Sequence, residues 1–310
     1  MYYFIVNPHA SGGKGMRVWR QVQRRLPKLS GTQRYEVFLT EKTGDARAFS
    51  RKITERCREE KTLVVIGGDG TLSEVVDGAC LDSDRVSIAF VPTGYANDFA
   101  RNLRRKYRLR RQPERFFTAE RERMLDYGVL DAENGNRRFV VSAGIGFDAA
   151  VFHELLASRC RQCGEYPLRL HSARFSYFLI FLRELKRAQR TRGYILLDQE
   201  QRVEFNNIIF ISAHVHPHES GYLLGSGANC EDGRLDLCIV STKRKLRIVR
   251  ILLAALFGIH KKMSGVHCYR CREAEIHTAE AFPVHTDGES CGKLRDLVLS
   301  CVPRKLRVRL

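Results

Sequence analysis

The sequence contains no long apolar run, no low-complexity tract and no internal repeat. Its longest apolar runs, residues 175–182 and 251–259, are under half of the about 20 residues that a membrane-spanning helix needs. The N-terminus enters a predicted strand without a charged leader, so we expect no signal peptide. With 310 residues and a hydrophobic fraction of 44%, the chain is expected to be a folded, soluble, cytoplasmic protein with room for two domains.

Signatures of zinc fingers, helix-turn-helix motifs and RNA-recognition motifs are also absent, so we expect no nucleic-acid partner. Among the ten cysteines, Cys160 with Cys163 and Cys268 with Cys271 have the spacing of zinc-ligand pairs. The two pairs are far apart in the chain, and the second falls in a predicted strand, where residues three apart face opposite sides. We therefore expect reduced thiols in place of disulfides or structural zinc.

Acidic residues are outnumbered, with 35 Asp and Glu against 53 Lys and Arg, which gives a net charge of +18. Basic residues cluster at 101–111, 183–192 and 243–250, and the last two clusters adjoin the apolar runs. Such neighbours on predicted helices are typical of peripheral docking to an anionic membrane surface. The alternative is that the apolar faces pack in the core and the charges are solvated. The oligomeric state stays open, with a homodimer among the possibilities.

Three glycine-containing turns each follow a predicted strand directly. They lie at residues 7–15, 67–71 and 92–101. The carboxyl ends of parallel strands meet at one sheet edge, where ligands of open α/β sheets bind. Glycine lets the main chain approach an anion, and the helix N-terminus that follows favours phosphate. Asp69 would repel phosphate unless a cation lay between, which indicates Mg²⁺ held against a nucleotide. The alternative is a tight turn without a ligand.

The first turn has neither Walker A nor G-x-G-x-x-G spacing. The ordered motifs instead resemble the diacylglycerol kinase catalytic-domain family, and within it the soluble bacterial lipid kinases. The motifs that carry the resemblance are Asn7-Pro8 with Lys14, Gly67-Gly68-Asp69-Gly70-Thr71, Asn97-Asp98 with Ala100-Arg101, and Asp287-Gly288-Glu289. They span nearly the whole chain. Two departures are Tyr95-Ala96, where the family usually has Thr-Gly, and Ser73, where it usually has Asn.

The resemblance implies an ATP- and Mg²⁺-dependent kinase of phospholipid metabolism that phosphorylates diacylglycerol or a similar neutral lipid. The residues expected to bind ATP are Asn7, Ser11, Gly12, Lys14, Thr40, Gly67, Gly68, Asp69, Gly70, Thr71, Glu74, Thr93 and Asp98. Asp69, Asp98 and Asp126 are expected to form a carboxylate–water–Mg²⁺ network, with Asp69 counted among the catalytic residues. Asp287 and Glu289 are expected to supply the base.

If residues 287–289 are extended, Asp287 and Glu289 face the same side, so that either acid can act as the base. The alternative for this triplet is a β-turn with two solvated acids. A second, structural Mg²⁺ is expected at the turn before residues 235–240. Its expected ligands are Asp232 and the carbonyls of Asn229 and Arg234. The alternative is an ordinary turn.

Residues 1–125 alternate predicted strands and helices, which indicates a doubly wound, Rossmann-like α/β domain. Residues 105–123 are expected to form a linker or a mobile basic loop. From residue 126, strands are predicted at 139–142, 194–197, 208–213, 235–240, 266–278 and 297–302, with helices at 169–189 and 244–258. The resemblance implies that residues 126–302 form a β-sandwich-like domain, that residues 303–310 return to the first domain, and that the active site lies in the cleft between domains.

Two other functions stay open. An NAD kinase-like phosphotransferase shares the GGDG loop, and the Tyr95-Ala96 departure leaves room for a non-catalytic nucleotide- or membrane-binding regulator. The Asn7–Lys14 loop and the Asn97-Asp98 turn favour the lipid branch. The presence of Asp69, Asp98 and the two late acids favours an active enzyme.

Overall fold

The computed structural model of the chain describes residues 1–29, 34–55, 59–82, 85–109, 121–162 and 173–310. The chain divides into two compact units. Unit 1 consists of Met1–Tyr127 and Pro303–Leu310, and unit 2 consists of Gly128–Val302. The sequence-based boundaries lay at 125/126 and 302/303.

Unit 1 alternates strands and helices along the chain. Its elements are β1 (Tyr2–Val6), α1 (Ala10–Leu29), β2 (Tyr35–Leu39), α2 (Asp45–Thr54), β3 (Lys61–Gly67), α3 (Asp69–Gly78), β4 (Val86–Pro92), α4 (Asp98–Tyr107) and the start of β5 (Glu122–Ala132). Strands β1 to β4 pair in parallel in the order β2-β1-β3-β4. The end of β13 (Glu289–Arg309) pairs in parallel with β4 through Val308 and Ile88. These pairings confirm the predicted doubly wound α/β architecture.

The central strands of unit 1 are apolar on both faces because both faces are covered. On one face, helix α1 packs Trp19 and Leu26 against Phe4, Val64 and Val91. Burying each side chain of this size contributes roughly 1.5–3 kcal/mol. The register pairs Val6 with Ile66 and Gly67 with Pro92. The residues that follow β1, β3 and β4 are therefore neighbours at one sheet edge.

Unit 2 is built mainly of antiparallel strands. Its further elements are β6 (Gly135–Phe139), β7 (Ser142–Gly146), α5 (Phe147–Gln162), α6 (Ala173–Glu184), β8 (Thr191–Leu197), β9 (Gln201–His214), β10 (Leu235–Ser241), α7 (Lys245–Ala255), a 3-10 turn (His260–Lys262), β11 (Val266–Cys271) and β12 (Glu273–Thr286). Neighbours follow the order β11-β10-β9-β7-β12-β13, and β8 pairs with β9 and β12. The predicted β-rich, sandwich-like second domain is confirmed.

Several local expectations were wrong. Residues 139–142 are not a strand: β6 ends at Phe139, β7 begins at Ser142, and Val140 and Val141 form the connection. Helix α5 was not predicted. In the expected linker at 105–123, residues 110–120 lie outside the described residues, while α4 extends to Tyr107 and β5 begins at Glu122. The predicted helix at 169–189 ends earlier than expected, since α6 ends at Glu184, and its predicted start at 169–172 lies outside the described residues.

Cys268 and Cys271 do lie on one strand, β11, and Cys268 is exposed while Cys271 is buried. The two side chains face opposite sides, as the sequence predicted. Burial raises the pKa of the Cys271 thiol to about 12, which keeps it protonated at neutral pH. Cys163, from the other pair, lies outside the described residues.

Candidate active site

Three loops meet at the carboxyl edge of the unit 1 sheet, and we call residues 7–13, 67–71 and 93–98 the strand-end site. Asn7 Nδ2 donates to Thr71 Oγ1 over 3.2 Å, which joins the first loop to the second. The N–H of Thr93 donates to the carbonyl of Gly67 over 2.7 Å, which joins the third. The structure thus brings together the three motifs that the sequence separates.

The second and third loops touch through their main chains. A Cβ atom on Gly94 would lie 2.6 Å from the Cα of Gly68, closer than real Cβ contacts. Asn97, in the left-handed region with φ of 50°, clamps Gly94 by accepting from its N–H over 2.9 Å and donating to its carbonyl over 2.7 Å. Gly68 and Gly94 are therefore required for the approach of the two loops.

The first loop opens α1 with a left-handed run of Ser11, Gly12 and Gly13, whose φ angles are 47°, 64° and 86°. Nothing lies within 4 Å of a Cβ built on either glycine, so this main chain borders open space. Lys14 follows and is exposed. The arrangement leaves a helix N-terminus and a lysine beside the sheet edge, which suits an anion.

Two buried hydroxyl groups of the strand-end site have no hydrogen-bond partner within the described part of the chain. They are Ser11 Oγ and Thr93 Oγ1, and Thr93 is fully buried. A buried hydroxyl without a partner costs about 1–3 kcal/mol. A polar ligand at this edge would supply the missing partners, so the residues present fit a nucleotide.

The carboxylates expected to organise Mg²⁺ are engaged by protein donors. Asp69 accepts the N–H groups of Asp98 (3.0 Å) and Phe99 (3.2 Å) at the N-terminus of α4. Asp98 is buried and accepts from Arg101 over 2.7 Å. Asp126 is buried on β5 and accepts the N–H of Arg304 over 2.8 Å. The structure places Asp69 and Asp98 together, and carboxylate oxygens are the ligands that a hard cation prefers.

The other expected ATP-binding residues surround this edge. Gly70 and Thr71 lie in the first turn of α3. Glu74 accepts the N–H groups of Gly44 (2.9 Å) and Ala46 (3.2 Å), so its carboxylate stabilises the N-terminus of α2. Thr40 is buried, and its N–H donates to the carbonyl of Val6.

Tyr95, the departure from the family pattern, is 65% exposed. Its ring is therefore not packed into the loop that Gly94 and Asn97 form.

The late acidic motif, which we call the DGE turn (Asp287–Glu289), is a tight hairpin. Thr286 pairs with Glu289 across β12 and β13, and the two residues between them have positive φ, 49° at Asp287 and 89° at Gly288. Positive φ at both central positions is what a type I′ turn requires, and Asp-Gly is the sequence that favours it. The prediction that residues 287–289 are extended is therefore wrong.

The two acids of the DGE turn are partly buried and are bound by protein groups. Asp287 accepts the N–H groups of Val140 (2.7 Å), Val141 (2.8 Å) and Ser142 (3.0 Å), and its own N–H donates to the Ser142 carbonyl. Glu289 pairs with Arg137 over 2.7 Å and is 19% exposed. Asp287 thus fixes the turn to the connection between β6 and β7, and Glu289 lies nearer the surface.

Behind the DGE turn lies a buried polar cluster that the sequence did not assign, consisting of Asp148, Glu219, His285, Ser142 and His214. His285 Nε2 lies 3.3 Å from Asp148 Oδ2, and Ser142 Oγ donates to Glu219 Oε1. Burial lowers the pKa of His214 from 6.5 to about 3, so its imidazole is neutral. His285 adjoins the DGE motif in sequence, but no local pattern links it to residues 137 positions away.

The turn that was expected to bind a structural Mg²⁺ is present before β10, but its carboxylate contacts protein groups. The N–H of Asp232 donates to the Asn229 carbonyl over 3.3 Å, and the N–H of Arg234 donates to Asp232 Oδ1 over 3.1 Å. Arg270 Nη1 lies 3.8 Å from Asp232 Oδ2 and its Nε bonds Asp236. A guanidinium therefore already faces the carboxylate to which the cation was assigned, and this metal site stays a prediction.

The protein combines an α/β unit, whose sheet edge suits a phosphate, with a β-sandwich-like unit that carries an acidic hairpin. This combination defines a class of kinases. Residues 1–128 match the family described as "Diacylglycerol kinase catalytic domain", and residues 142–310 match "YegS C-terminal NAD kinase beta sandwich-like domain". The chain belongs to the diacylglycerol kinase family, whose members are phosphotransferases with an alcohol group as acceptor.

Individual relatives are consistent with this membership. The chain is 30% identical over 322 residues to "Putative lipid kinase YtlR" of Bacillus subtilis, covering 99% of both chains. It is 25% identical to "Diacylglycerol kinase" of Staphylococcus carnosus, covering 83% of this chain and 78% of that one. A crystal structure of a "putative diacylglycerol kinase" from Bacillus anthracis has the same fold, with a TM-score of 0.73 at 19% identity over 99% of this chain and 96% of that one.

Proposed function

We propose that the protein is an ATP- and Mg²⁺-dependent lipid kinase that phosphorylates the hydroxyl of diacylglycerol or a similar neutral lipid. The product would be phosphatidic acid or an analogous lipid phosphate. The observation that carries the proposal is a pair of buried hydroxyls, on Ser11 and Thr93, that have no partner among the described residues. They lie in a strand-end site whose loops touch at Gly68 and Gly94. Relatives named diacylglycerol kinase support the class of acceptor.

Within this proposal the strand-end site holds the nucleotide. Ser11 and Thr93 hydroxyls donate to its oxygens, and the N-terminus of α1 with Lys14 faces its phosphates. Asp69 and Asp98, with Asp126, provide the oxygen atoms that a hard cation prefers. When bound, ATP supplies the phosphoryl group and Mg²⁺ neutralises charge on its oxygens.

We propose that the DGE turn accepts the proton of the lipid hydroxyl. Both oxygens of Asp287 accept main-chain N–H groups, so Asp287 holds the turn in place. Glu289 is partly exposed and receives the proton as the hydroxyl attacks. Arg137 orients the Glu289 carboxylate through their ion pair.

A further part of the proposal is a membrane-docking face on α7 and the turn after it. Its inner side chains, among them Ile248, Ile251 and Leu252, are buried in the unit 2 core. Its outer apolar side chains are Leu246 and Phe257, each 76% exposed, with Leu253 and Ile259. One side of the helix therefore packs in the core, as one alternative from the sequence expects, and the exposed side is the part that we assign to docking.

Exposed basic residues border this docking face, namely Lys243, Arg244, Arg250 and Lys262. Each could contribute roughly 1 kcal/mol at an anionic leaflet, and the apolar side chains would enter the interface. Among the described residues, no helix is both long and apolar enough to cross a bilayer. We therefore propose a cytoplasmic enzyme that reaches its lipid by peripheral attachment.

Flotation with phosphatidylglycerol-containing vesicles tests the docking face. The double variant Leu246→Ser, Phe257→Ser should bind at least about 10-fold more weakly, because two large apolar side chains no longer enter the interface. Leu39→Ser, which removes an exposed leucine from β2, is the matched control and should bind like the wild type. Equal binding by all three proteins would remove α7 from the proposal.

Transfer of labelled phosphate tests the function itself. Purified protein with labelled ATP and Mg²⁺ is offered diacylglycerol micelles, sphingoid bases, other lipid alcohols and NAD. Labelled phosphatidic acid that disappears with excess chelator is the expected result. Nucleotide binding without any labelled product would instead identify a non-catalytic regulator.

NAD belongs in this panel because of a specific observation. The unit 2 sequence matches a domain described as NAD kinase β-sandwich-like, so an NAD kinase activity is the second candidate. Labelled NADP as the main product would favour this candidate over the lipid kinase.

A further inference from the structure

Gly288, at the centre of the DGE turn, is held from inside the protein by an imidazole. Its N–H donates to His285 Nδ1 over 3.1 Å, and His285 is fully buried. The ring of His285 also contacts Phe152, with centroids 4.4 Å apart. The imidazole is therefore fixed in orientation, and it is bonded to the main chain between the two acids.

The bond from Gly288 determines where the imidazole proton lies. Since Nδ1 accepts, a neutral ring carries its proton on Nε2. Nε2 lies 3.3 Å from Asp148 Oδ2 and 3.9 Å from Glu219 Oε1, so it donates toward a carboxylate. Rotating the ring by half a turn would place a carbon against the Gly288 N–H, which excludes the other orientation. Asp148, His285 and Gly288 thus form one hydrogen-bonded chain.

Asp148, Glu219 and His285 are also residue types that ligate metals, and their ligand atoms lie within 4.8 Å of one another. A metal on Nε2 would require the proton to move to Nδ1, where it would oppose the Gly288 N–H. The contacts therefore favour the hydrogen-bonded chain over a metal centre. A Cβ on Gly144 would clash with both His285 and Asp148, so a glycine there is needed for the chain to form.

We propose that His285 is a positioning residue for phosphoryl transfer, which sets the DGE turn through Gly288 while Asp148 fixes its tautomer. The inference rests on the proposed function. Asp287 anchors the turn to residues 140–142, and His285 anchors it at the next residue. With both anchors, Glu289 is held within the narrow range of positions that proton transfer requires, where a shift of about 1 Å can cost about 100-fold in rate.

Two substitutions test the two bonds of this hydrogen-bonded chain separately. In His285→Asn, the amide oxygen lies near the former Nδ1 and can still accept from Gly288. In His285→Gln, the amide reaches toward Asp148, and Gly288 loses its acceptor. His285→Phe removes both bonds. His260→Asn is the control for loss of a buried histidine, since His260 is fully buried and bonds the Leu224 carbonyl, away from the DGE turn in sequence.

Kinetics with ATP, Mg²⁺ and the lipid that the wild type phosphorylates test the proposal. We expect kcat to fall about 30-fold or more in His285→Gln and His285→Phe, with both KM values within about twofold of the wild type. His285→Asn should stay within about fivefold of the wild-type kcat. His260→Asn should lower the melting temperature but leave kcat unchanged.

Hydrogen exchange at the Gly288 amide gives a readout that does not depend on activity. It should be slow in the wild type and His285→Asn, and fast in His285→Gln and His285→Phe. A wild type without lipid phosphorylation would overturn the proposed function, while the exchange pattern would still report on the contact. Unchanged kcat in His285→Phe, or a smaller loss in His285→Gln than in His285→Asn, would overturn the positioning role.

Discussion

The strand-end site and the DGE turn use their polar groups in opposite ways. In the strand-end site the main chains of Gly68 and Gly94 touch, and the hydroxyls of Ser11 and Thr93 lack partners among the described residues. In the DGE turn the carboxylate of Asp287 has three main-chain donors and Gly288 has an imidazole acceptor. The first region has polar groups to offer a ligand, and the second has its polar groups committed to holding a shape.

This difference separates two kinds of substitution. Removing the Ser11 or Thr93 hydroxyl from the strand-end site should weaken binding while sparing the fold. Removing the Asp287 carboxylate or the His285 imidazole should reduce the rate and also leave a main-chain N–H group without its acceptor.

The largest effect is expected for Asp287→Asn. An amide keeps one acceptor oxygen but replaces the other with a donor, so at least one main-chain N–H group of residues 140–142 loses its acceptor and the anchor is weakened. We expect kcat to fall about 1,000-fold, equivalent to about 4 kcal/mol, with a lower melting temperature. Glu289→Gln should lower kcat with little loss of stability, because only a partly exposed ion pair with Arg137 is lost. An Asp287→Asn enzyme with near-normal kcat would contradict the anchoring role.

Gly94→Ala should come next. The new Cβ would force the second and third loops apart, since it would lie 2.6 Å from the Cα of Gly68. Turnover at fixed ATP should fall about 100-fold, as expected for a displacement of the order of 1 Å. Gly68→Ala, whose Cβ would lie 3.2 Å from the Gly94 Cα, should have a smaller effect. The reverse order, measured by ATP titration, would show that contact between the loops does not set the site.

Lowering the pH should destabilise unit 2 more than unit 1. The pKa of His214 is lowered by burial from 6.5 to about 3, so between these values the unfolded chain binds a proton that the folded chain does not. Stability therefore falls as the pH decreases below 6.5. Between pH 6.5 and 5 the loss attributable to His214 is about 2 kcal/mol.

Hydrogen exchange of β9 amides, followed against pH, measures this loss. His214→Gln should flatten the dependence, whereas exchange in β3 of unit 1 should change less between the same pH values. Identical pH dependence of β9 in the wild type and in His214→Gln would contradict the assignment.

The smallest effect is expected for Thr93→Val. Because the Thr93 hydroxyl has no partner in the part of the chain that the structure describes, its removal should leave the melting temperature unchanged or raise it. The KM for ATP should rise about 10-fold, which is about 1.4 kcal/mol. Thr71→Val is the contrast, because Thr71 accepts from Asn7 and its loss should cost about 1 kcal/mol of stability. Equal stability losses in the two variants would show that Thr93 is satisfied within the protein.

The sequence predicted the α/β unit well because β1, β3 and β4 are short apolar runs, each followed at once by a glycine-containing turn. It predicted residues 139–142 wrongly for a related reason. Val140 and Val141 are apolar like a strand, but their N–H groups serve Asp287, which is 146 positions from Val141. No local pattern can reveal such a partner. Helix α5 was missed because small residues such as Ala149 and Ala150 after the glycines of β7 gave no clear helical periodicity.

The DGE turn has a local sequence signal for its hairpin. Asp-Gly between alternating residues is a strong short-range indication of a hairpin, and the structure has that hairpin. The buried cluster behind it had no such signal, because Asp148, Glu219 and His285 come from three distant segments. Which residues share a site was predictable for the strand ends, where topology decides it, but not for a cluster that depends on tertiary packing.

Because residues 303–310 complete unit 1, with Val308 and Arg309 pairing beside Ile88 and Ala89, the order of synthesis matters. The ribosome delivers all of unit 2 before the last parallel strand of unit 1 exists. Unit 2 can thus finish folding first, while unit 1 still has one edge of β4 uncovered. A fragment that stops at Val302 would keep every residue of the strand-end site and still lack the strand that closes its sheet.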